Sequence, residues 1–150
     1  MNYYVGIDPS LTATGVVVID KAGDIVDQSL ITTKPKDDML VRYHIIIDNI
    51  FNAMQGSKYP VYIEGPSLHS KGRAVAQMFG LYWVIRWELN KANIPCEAVP
   101  PTQLKKFVTT KGNAKKEQML LHTFKRWGIE FADNNLCDAY CLARWGLANG

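Results

Sequence analysis

The stretch Tyr3–Asp20, YYVGIDPSLTATGVVVID, constrains the fold more than any other part of the chain. Two apolar runs, Tyr3–Ile7 and Gly15–Ile19, flank a small and polar turn at Pro9–Thr14. Short runs rich in β-branched and aromatic residues, joined this closely, read as a β-hairpin. The only charge between them is Asp8, at the end of the first run. A carboxylate there is costly to place in a core and well placed to meet a metal or a phosphate at the rim of a sheet. The plainer alternative is an aspartate that caps the turn, so the rest of the chain has to decide.

Length and charge narrow the field. A chain of 150 residues is expected to form one domain with a real core. Its composition, 47% hydrophobic and 21% charged, is that of a soluble globular protein. The net charge of +3 is mild, but its distribution is uneven. Lys105, Lys106, Lys111, Lys115, Lys116, Lys125 and Arg126 face only Glu117 within their stretch, so the remainder is net acidic. That asymmetry implies a basic patch on a neutral body. Cys96, Cys137 and Cys141 show no metal-ligand spacing with histidine and are expected to be free thiols in a reducing compartment. No apolar run is long enough to span a bilayer, and no signal peptide is evident, so a cytoplasmic location is expected, in a bacterial cell or phage-infected host.

Along the chain, Lys21–Asp24 is a turn signal and Ile25–Thr33 a third strand, which makes an antiparallel meander of the first three. After Pro35, Asp37 or Asp38 can cap a helix whose apolar positions run from Leu40 to Met54, with Gly56 at its C-terminus. Pro60–Glu64 is a short strand broken by Gly65-Pro66, and it repeats the opening pattern of an apolar strand ending in a lone acid. Leu68–Arg73 reads as a polar loop, and a helix follows it to about Asn93, with Val75, Met78, Phe79, Tyr82, Ile85 and Leu89 on one face and Trp83 and Trp87 on another. So much apolar circumference suits either a central core helix or one that also meets a second subunit. Ile94–Val99 reads as a fifth strand, Thr102–Phe107 as a short helix, Ala114–Trp127 as a third long one, and Asp133 or Asn134 caps a last helix to about Gly146.

This order predicts an α/β fold with a five-stranded mixed sheet flanked by helices, its first three strands antiparallel and the later two joined by right-handed crossovers parallel to the first. Ligands of such sheets bind beyond the carboxyl ends of parallel strands. Asp8 and Glu64 both fall at that edge. The last helix supplies a third acid, Asp138, two turns in. At about 100° per residue Asn135 and Asp138 are about 300° apart and share a face. A divalent cation shared by Asp8, Glu64 and Asp138 would offset the cost of burying them. Hard oxygen donors without histidine or cysteine point to magnesium or manganese, and carboxylate-held metal pairs suit phosphodiester hydrolysis.

Four blocks, GIDPSLTATG, VYIEGP, PTQLKKFVTTKGNAKKEQM and NNLCDAYCLA, carry a resemblance that covers nearly the whole chain. It resembles the RuvC-type Holliday-junction resolvases of the RNase H-like superfamily, in particular their compact phage-borne members. The resemblance implies a magnesium-dependent, two-metal endonuclease, with manganese able to substitute, that makes paired nicks in four-way junctions and acts as a homodimer. It implies metal-binding catalytic roles for Asp8, Glu64 and Asp138. The family's fourth acid stands where this chain has Asn135, so the fourth ligand is Asn135 or Asp133. Lys105 and Lys116 match family lysines beside the scissile phosphate. The family's stacking-disturbing aromatic is missing, and Ser67, Leu68 and His69 stand there, with Leu68 as the candidate wedge.

On this reading Lys106, Lys111, Lys115 and Arg126 contact DNA phosphates, and Lys71 and Arg73 hold another arm of a branched DNA. The helix containing Val75–Leu89 is the candidate dimer interface. Competing readings keep the fold but change the substrate to flaps, forks or RNA–DNA hybrids, or take Asn135 as a sign of a DNA-structure binding protein whose catalysis has lapsed. Gly6-Ile-Asp-Pro-Ser also fits the phosphate turn of an actin-like ATPase, but that fold needs two such lobes.

Overall fold

The computed structural model describes residues 2–67 and 71–150. Five strands, β1 (Tyr3–Asp8), β2 (Ala13–Asp20), β3 (Ile25–Thr32), β4 (Val61–Glu64) and β5 (Cys96–Val99), form one sheet in the order β3-β2-β1-β4-β5. The first three pair antiparallel, while β4 joins β1, and β5 joins β4, in parallel. This is the mixed sheet expected from the sequence.

Residue parity assigns the two faces. Val5 and Ile7 of β1, Val16 and Val18 of β2, and Val61 and Ile63 of β4 point to one side. There they meet α1 (Met39–Met54) and α2 (Arg73–Lys91) through Ile46, Ile50, Met54, Leu81, Ile85 and Leu89. The alternate residues Val17 and Ile19 of β2, and Tyr62 of β4, face the opposite side. That side is covered by α5 (Asn134–Asn149), with α3 (Pro101–Thr109) and α4 (Lys116–Trp127) packed beyond it. Strand period 2 and helix period 3.6 are thus satisfied by the same sequence.

Helix ends depart from the expected boundaries for local reasons. Asp38, not Asp37, caps α1 by accepting from Leu40 N at 2.9 Å, and the chain leaves through two left-handed residues, Gln55 and Gly56. Helix α4 starts at Lys116 because Gln118 Oε1 accepts from the Lys115 backbone N–H at 2.9 Å. Helix α5 continues past Gly146 to Asn149. Arg42, in the second turn of α1, is 6% exposed and donates through Nε to Thr33 Oγ1 at 2.8 Å. The Thr33 hydroxyl donates in turn to the Leu11 carbonyl. This relay ties the Pro9–Thr14 turn, and with it the end of β1, to α1.

Candidate active site

Parity also aims the acids. Asp8 and Glu64 follow Ile7 and Ile63, which pair across the parallel β1–β4 register. They are therefore neighbours at adjacent strand ends, on the face opposite Ile7 and Ile63 and under α5. The helix reaches them because the strands beneath it carry glycine. A side chain at Gly6 would overlap the Ala139 carbonyl oxygen, and one at Gly15 would overlap the carbonyl of Asn135. The ridge Asn135–Ala139–Ala143 thus lies directly on the β1 and β2 backbones, and Asp138 comes down beside Asp8. One ligand atom from each of Asp8, Glu64 and Asp138 lies within 4.8 Å of the others.

The electrostatics of this cluster are unfavourable as they stand. Burial, with repulsion from Glu64 and Asp138, pushes the Asp8 carboxyl well above its ordinary range. Burial also raises Glu64, against a lowering contact with Asp8 and a nearby Lys105. Asp138 is pushed up to about 8, by burial first and Glu64 second, although Lys105 and Lys116 act in the other direction. Among the described residues none of the three forms an ion pair with lysine or arginine; the pair Lys91–Glu88 lies elsewhere, within α2. Glu64 Oε2 is buried with no hydrogen-bond partner. A buried acceptor without a donor, among three carboxyls that repel one another, is costly. A divalent cation would complete it, and the all-oxygen donor set suits a hard one.

Two clefts open on the cluster. One, of about 540 Å³, is bounded by Asp8, Glu64 and Lys105 and continues to the N-terminal part of α2. The other, of about 550 Å³, runs past Glu64 and Asp138 between Lys105, Lys115 and Lys116. The structure thus brings Lys105, Lys115 and Lys116 to the acids. Lys106 and Lys111 are exposed on α3 and the loop after it, and Lys71 and Arg73 are exposed at the start of α2. Arg126 has a further task. Its guanidinium donates to the Phe107 carbonyl and lies 4.8 Å from the centres of both the Phe107 and Trp127 rings, so it clamps α3 to α4.

Asp133 stands outside the three-carboxylate cluster. It caps α5, with Oδ1 accepting from Leu136 N at 2.9 Å. Asn134, expected only as a candidate helix cap, lines the second cleft beside Asp138, and Asn113 lines both clefts. Nothing in a lone asparagine distinguishes such positions before the loops are folded. Leu68 and His69 lie outside the described residues. The face of α2 divides in a way periodicity did not resolve: Tyr82, Ile85 and Leu89 are buried inside the chain, Val75 and Met78 line the first cleft, and Trp83 and Trp87 are 59% and 64% exposed.

The sheet order, the crossing α5 and the carboxylates at the ends of β1 and β4 define the RNase H-like architecture, with a cluster of three acids at the carboxyl ends of its parallel strands. Residues 4–143 match the family described as crossover junction endodeoxyribonuclease RuvC. The chain belongs to that family, whose members are nucleases that resolve Holliday junctions. It is 27% identical over 145 residues to the crossover junction endodeoxyribonuclease RuvC of Ehrlichia canis, covering 93% of this chain and 92% of that protein. Among solved structures it is similar to Thermus thermophilus RuvC, with a TM-score of 0.78, 20% identity and 97% of each chain covered. It is equally similar to T. thermophilus RuvC in complex with a Holliday junction substrate, again at 0.78, with 22% identity over 95% of this chain and 91% of that one. Family membership carries the divalent-metal dependence for which the cluster is suited. No helix among the described residues is long and apolar enough to cross a membrane.

Proposed function

We propose that this chain, as a single nuclease domain, cuts four-way DNA junctions with magnesium held by Asp8, Glu64 and Asp138, two ions to a site. The observation that carries the reading is the buried, partnerless Glu64 Oε2 within a cluster of carboxyls from β1, β4 and α5. Manganese offers the same charge and ligand preference and substitutes. When bound, the metal supplies an activated water and stabilises the leaving oxygen.

The chain's own groups do the rest. Lys105 and Lys116 flank the cluster and hold the scissile phosphate, offsetting charge in the transition state. Lys115, Lys111, Lys106, Lys71 and Arg73 meet flanking phosphates without reading sequence. The fourth ligand position falls to Asn135 or Asp133, and the commitment of Asp133 Oδ1 to the α5 cap favours Asn135. A junction has two strands to cut and requires two sites, hence a homodimer. The exposed Trp83 and Trp87, with Arg86 pinned between the Tyr82 hydroxyl and the Cys96 carbonyl, offer the outward face of α2 for it.

The purified protein should make paired symmetric nicks in a synthetic four-way junction in magnesium and leave a linear duplex of the same sequence intact. Asp8→Asn and Glu64→Gln should abolish cutting. Equal cutting of the linear duplex would refute junction resolution, and cutting that survives without divalent metal would refute the assigned site.

A further inference from the structure

The turn that carries Asp8 is anchored from two sides. Asp8 and Gly15 pair across β1 and β2, so the residues between them decide where that carboxylate ends and where Asn135 rests on Gly15. From within, Thr14 is fully buried, and its hydroxyl donates to the Ser10 carbonyl at 2.6 Å and accepts from Ser10 N at 3.1 Å. From outside, Thr33 holds the tip twice. Its backbone N–H donates to the Thr12 carbonyl at 3.3 Å, and its hydroxyl donates to the Leu11 carbonyl.

A threonine hydroxyl has one proton and is free to turn it towards any acceptor in reach. Arg42 removes that freedom. Its Nε donates to Thr33 Oγ1 at 2.8 Å, which fills an acceptor site on the oxygen and leaves the proton for Leu11. Arg42 is 6% exposed and Thr33 9%, so little water competes for either bond.

Packing does not explain the arginine. Among the described residues no carboxylate lies within ion-pair distance of it, and its Nη1 lies against Met39 Sδ at 3.9 Å. A buried guanidinium without a counter-charge is costly, and an apolar side chain of that length would serve the core as well. Nor does DNA explain it. A phosphate-binding arginine offers its fork to the ligand, whereas this one is covered and lines neither cleft at the acids. The charges that act on Asp8 are those of Glu64, Asp138 and Asp133, so the link from Arg42 to Asp8 is mechanical.

We propose that Arg42 is a positioning residue for the reaction. Through the Thr33 hydroxyl it fixes the Leu11 carbonyl, and with it the turn that holds the Asp8 carboxylate against Glu64 and Asp138. On the metal site proposed above, Asp8 is the ligand so placed, and α1, on the far face of the sheet, becomes part of what sets the site.

Four variants test this: Arg42→Met, Thr33→Val, the two combined, and Thr33→Ser, which keeps the hydroxyl. Mn2+ binding is measured by electron paramagnetic resonance, and kcat and KM on a four-way junction in magnesium, all per folded molecule from urea melts. Arg42→Met and Thr33→Val should each weaken Mn2+ binding and lower kcat about tenfold, the scale for groups that orient a metal ligand. KM should stay within about twofold, the combined variant should lose no more than the worse single one, and Thr33→Ser should match the native protein. Unchanged Mn2+ binding and kcat would reduce the relay to a structural role and overturn the proposal. So would losses that add in the combined variant, an equal loss in Thr33→Ser, or a raised KM at native kcat, which would make Arg42 a DNA contact. If Arg42→Met does not fold, Thr33→Val against Thr33→Ser carries the comparison. If the native protein binds no Mn2+ and cuts no junction, the metal-site reading falls by itself. The relay is then judged on metal-free protein by amide exchange. Thr33→Val should speed exchange at Ser10, in the turn, about tenfold, the order of one lost hydrogen bond, and leave Val17 in β2 unchanged. No change at Ser10 overturns it.

Discussion

The two faces of the sheet obey different rules. On the α1–α2 side, β-branched strand residues meet Ile46, Ile50, Leu81, Ile85 and Leu89, each essentially inaccessible to solvent, in ordinary interdigitated packing. On the α5 side, glycine replaces bulk. Gly6 and Gly15 let a helix touch strand backbone, and the closeness brings a carboxylate down on two others. The first face is what holds the fold together. The second sacrifices stability to gather like charges, and the raised carboxyls of Asp8, Glu64 and Asp138 are the sign of it.

The sharpest break in that comparison is Asp138→Asn. It should cut junction cleavage by on the order of a thousandfold, about 4 kcal/mol of barrier, while raising the metal-free melting temperature, because a repelling carboxyl has gone. A variant that loses activity and stability together in calorimetry would contradict the contrast.

Next come paired packing changes. Ile46→Ala, on the first face, should destabilise by about 2–5 kcal/mol yet leave activity per folded molecule within about twofold. Gly6→Ala, on the second, should destabilise by about 3 kcal/mol. It should also lower activity per folded molecule at least about tenfold, since α5 must lift and carry Asp138 with it. Urea melts, read beside rates normalised to folded protein, separate the two.

The smallest effect is in pH. These carboxyls titrate higher in the folded chain than unfolded, so the folded state holds more protons in the interval between. Their stabilising contribution is therefore complete below the unfolded carboxylate value of 3.8 and is lost as pH rises towards about 8, where Asp138 titrates. Metal-free melting temperatures should fall across that interval, by about 3 °C per kcal/mol lost. Saturating magnesium should flatten the slope. Equal slopes with and without magnesium would detach the cluster from metal binding.

Much of this was legible before folding. Alternation in YYVGID and VYIEGP assigned the faces, and a lone acid at the end of each run marked the rim. The third acid was legible as a charge in the second turn of an apolar helix. Caps were less so: Asp37 and Asp38 compete on equal chemistry, and it is Asp38 whose side chain accepts from Leu40 N in the folded chain. The cleft residues were hidden for a different reason. Val75 and Met78 repeat with Tyr82, Ile85 and Leu89, and periodicity cannot tell a position buried under α1 from one that ends over a cavity.

By itself, then, the sequence determined the strands, their faces and the three acids, because period 2, period 3.6 and the cost of a buried carboxylate are local properties of the chain. The tertiary structure alone decided how near those acids come. It also separated Asp133, spent on a helix cap, from the three that cluster, and put Val75 and Met78 over a cleft next to the site. The reason is that distance between β1, β4 and α5 is set by the β1–β4 register and by which strand positions lack a side chain beneath the helix. Asp8, read at first as either a turn cap or a ligand, becomes one member of a charged cluster only when α5 lies on Gly6.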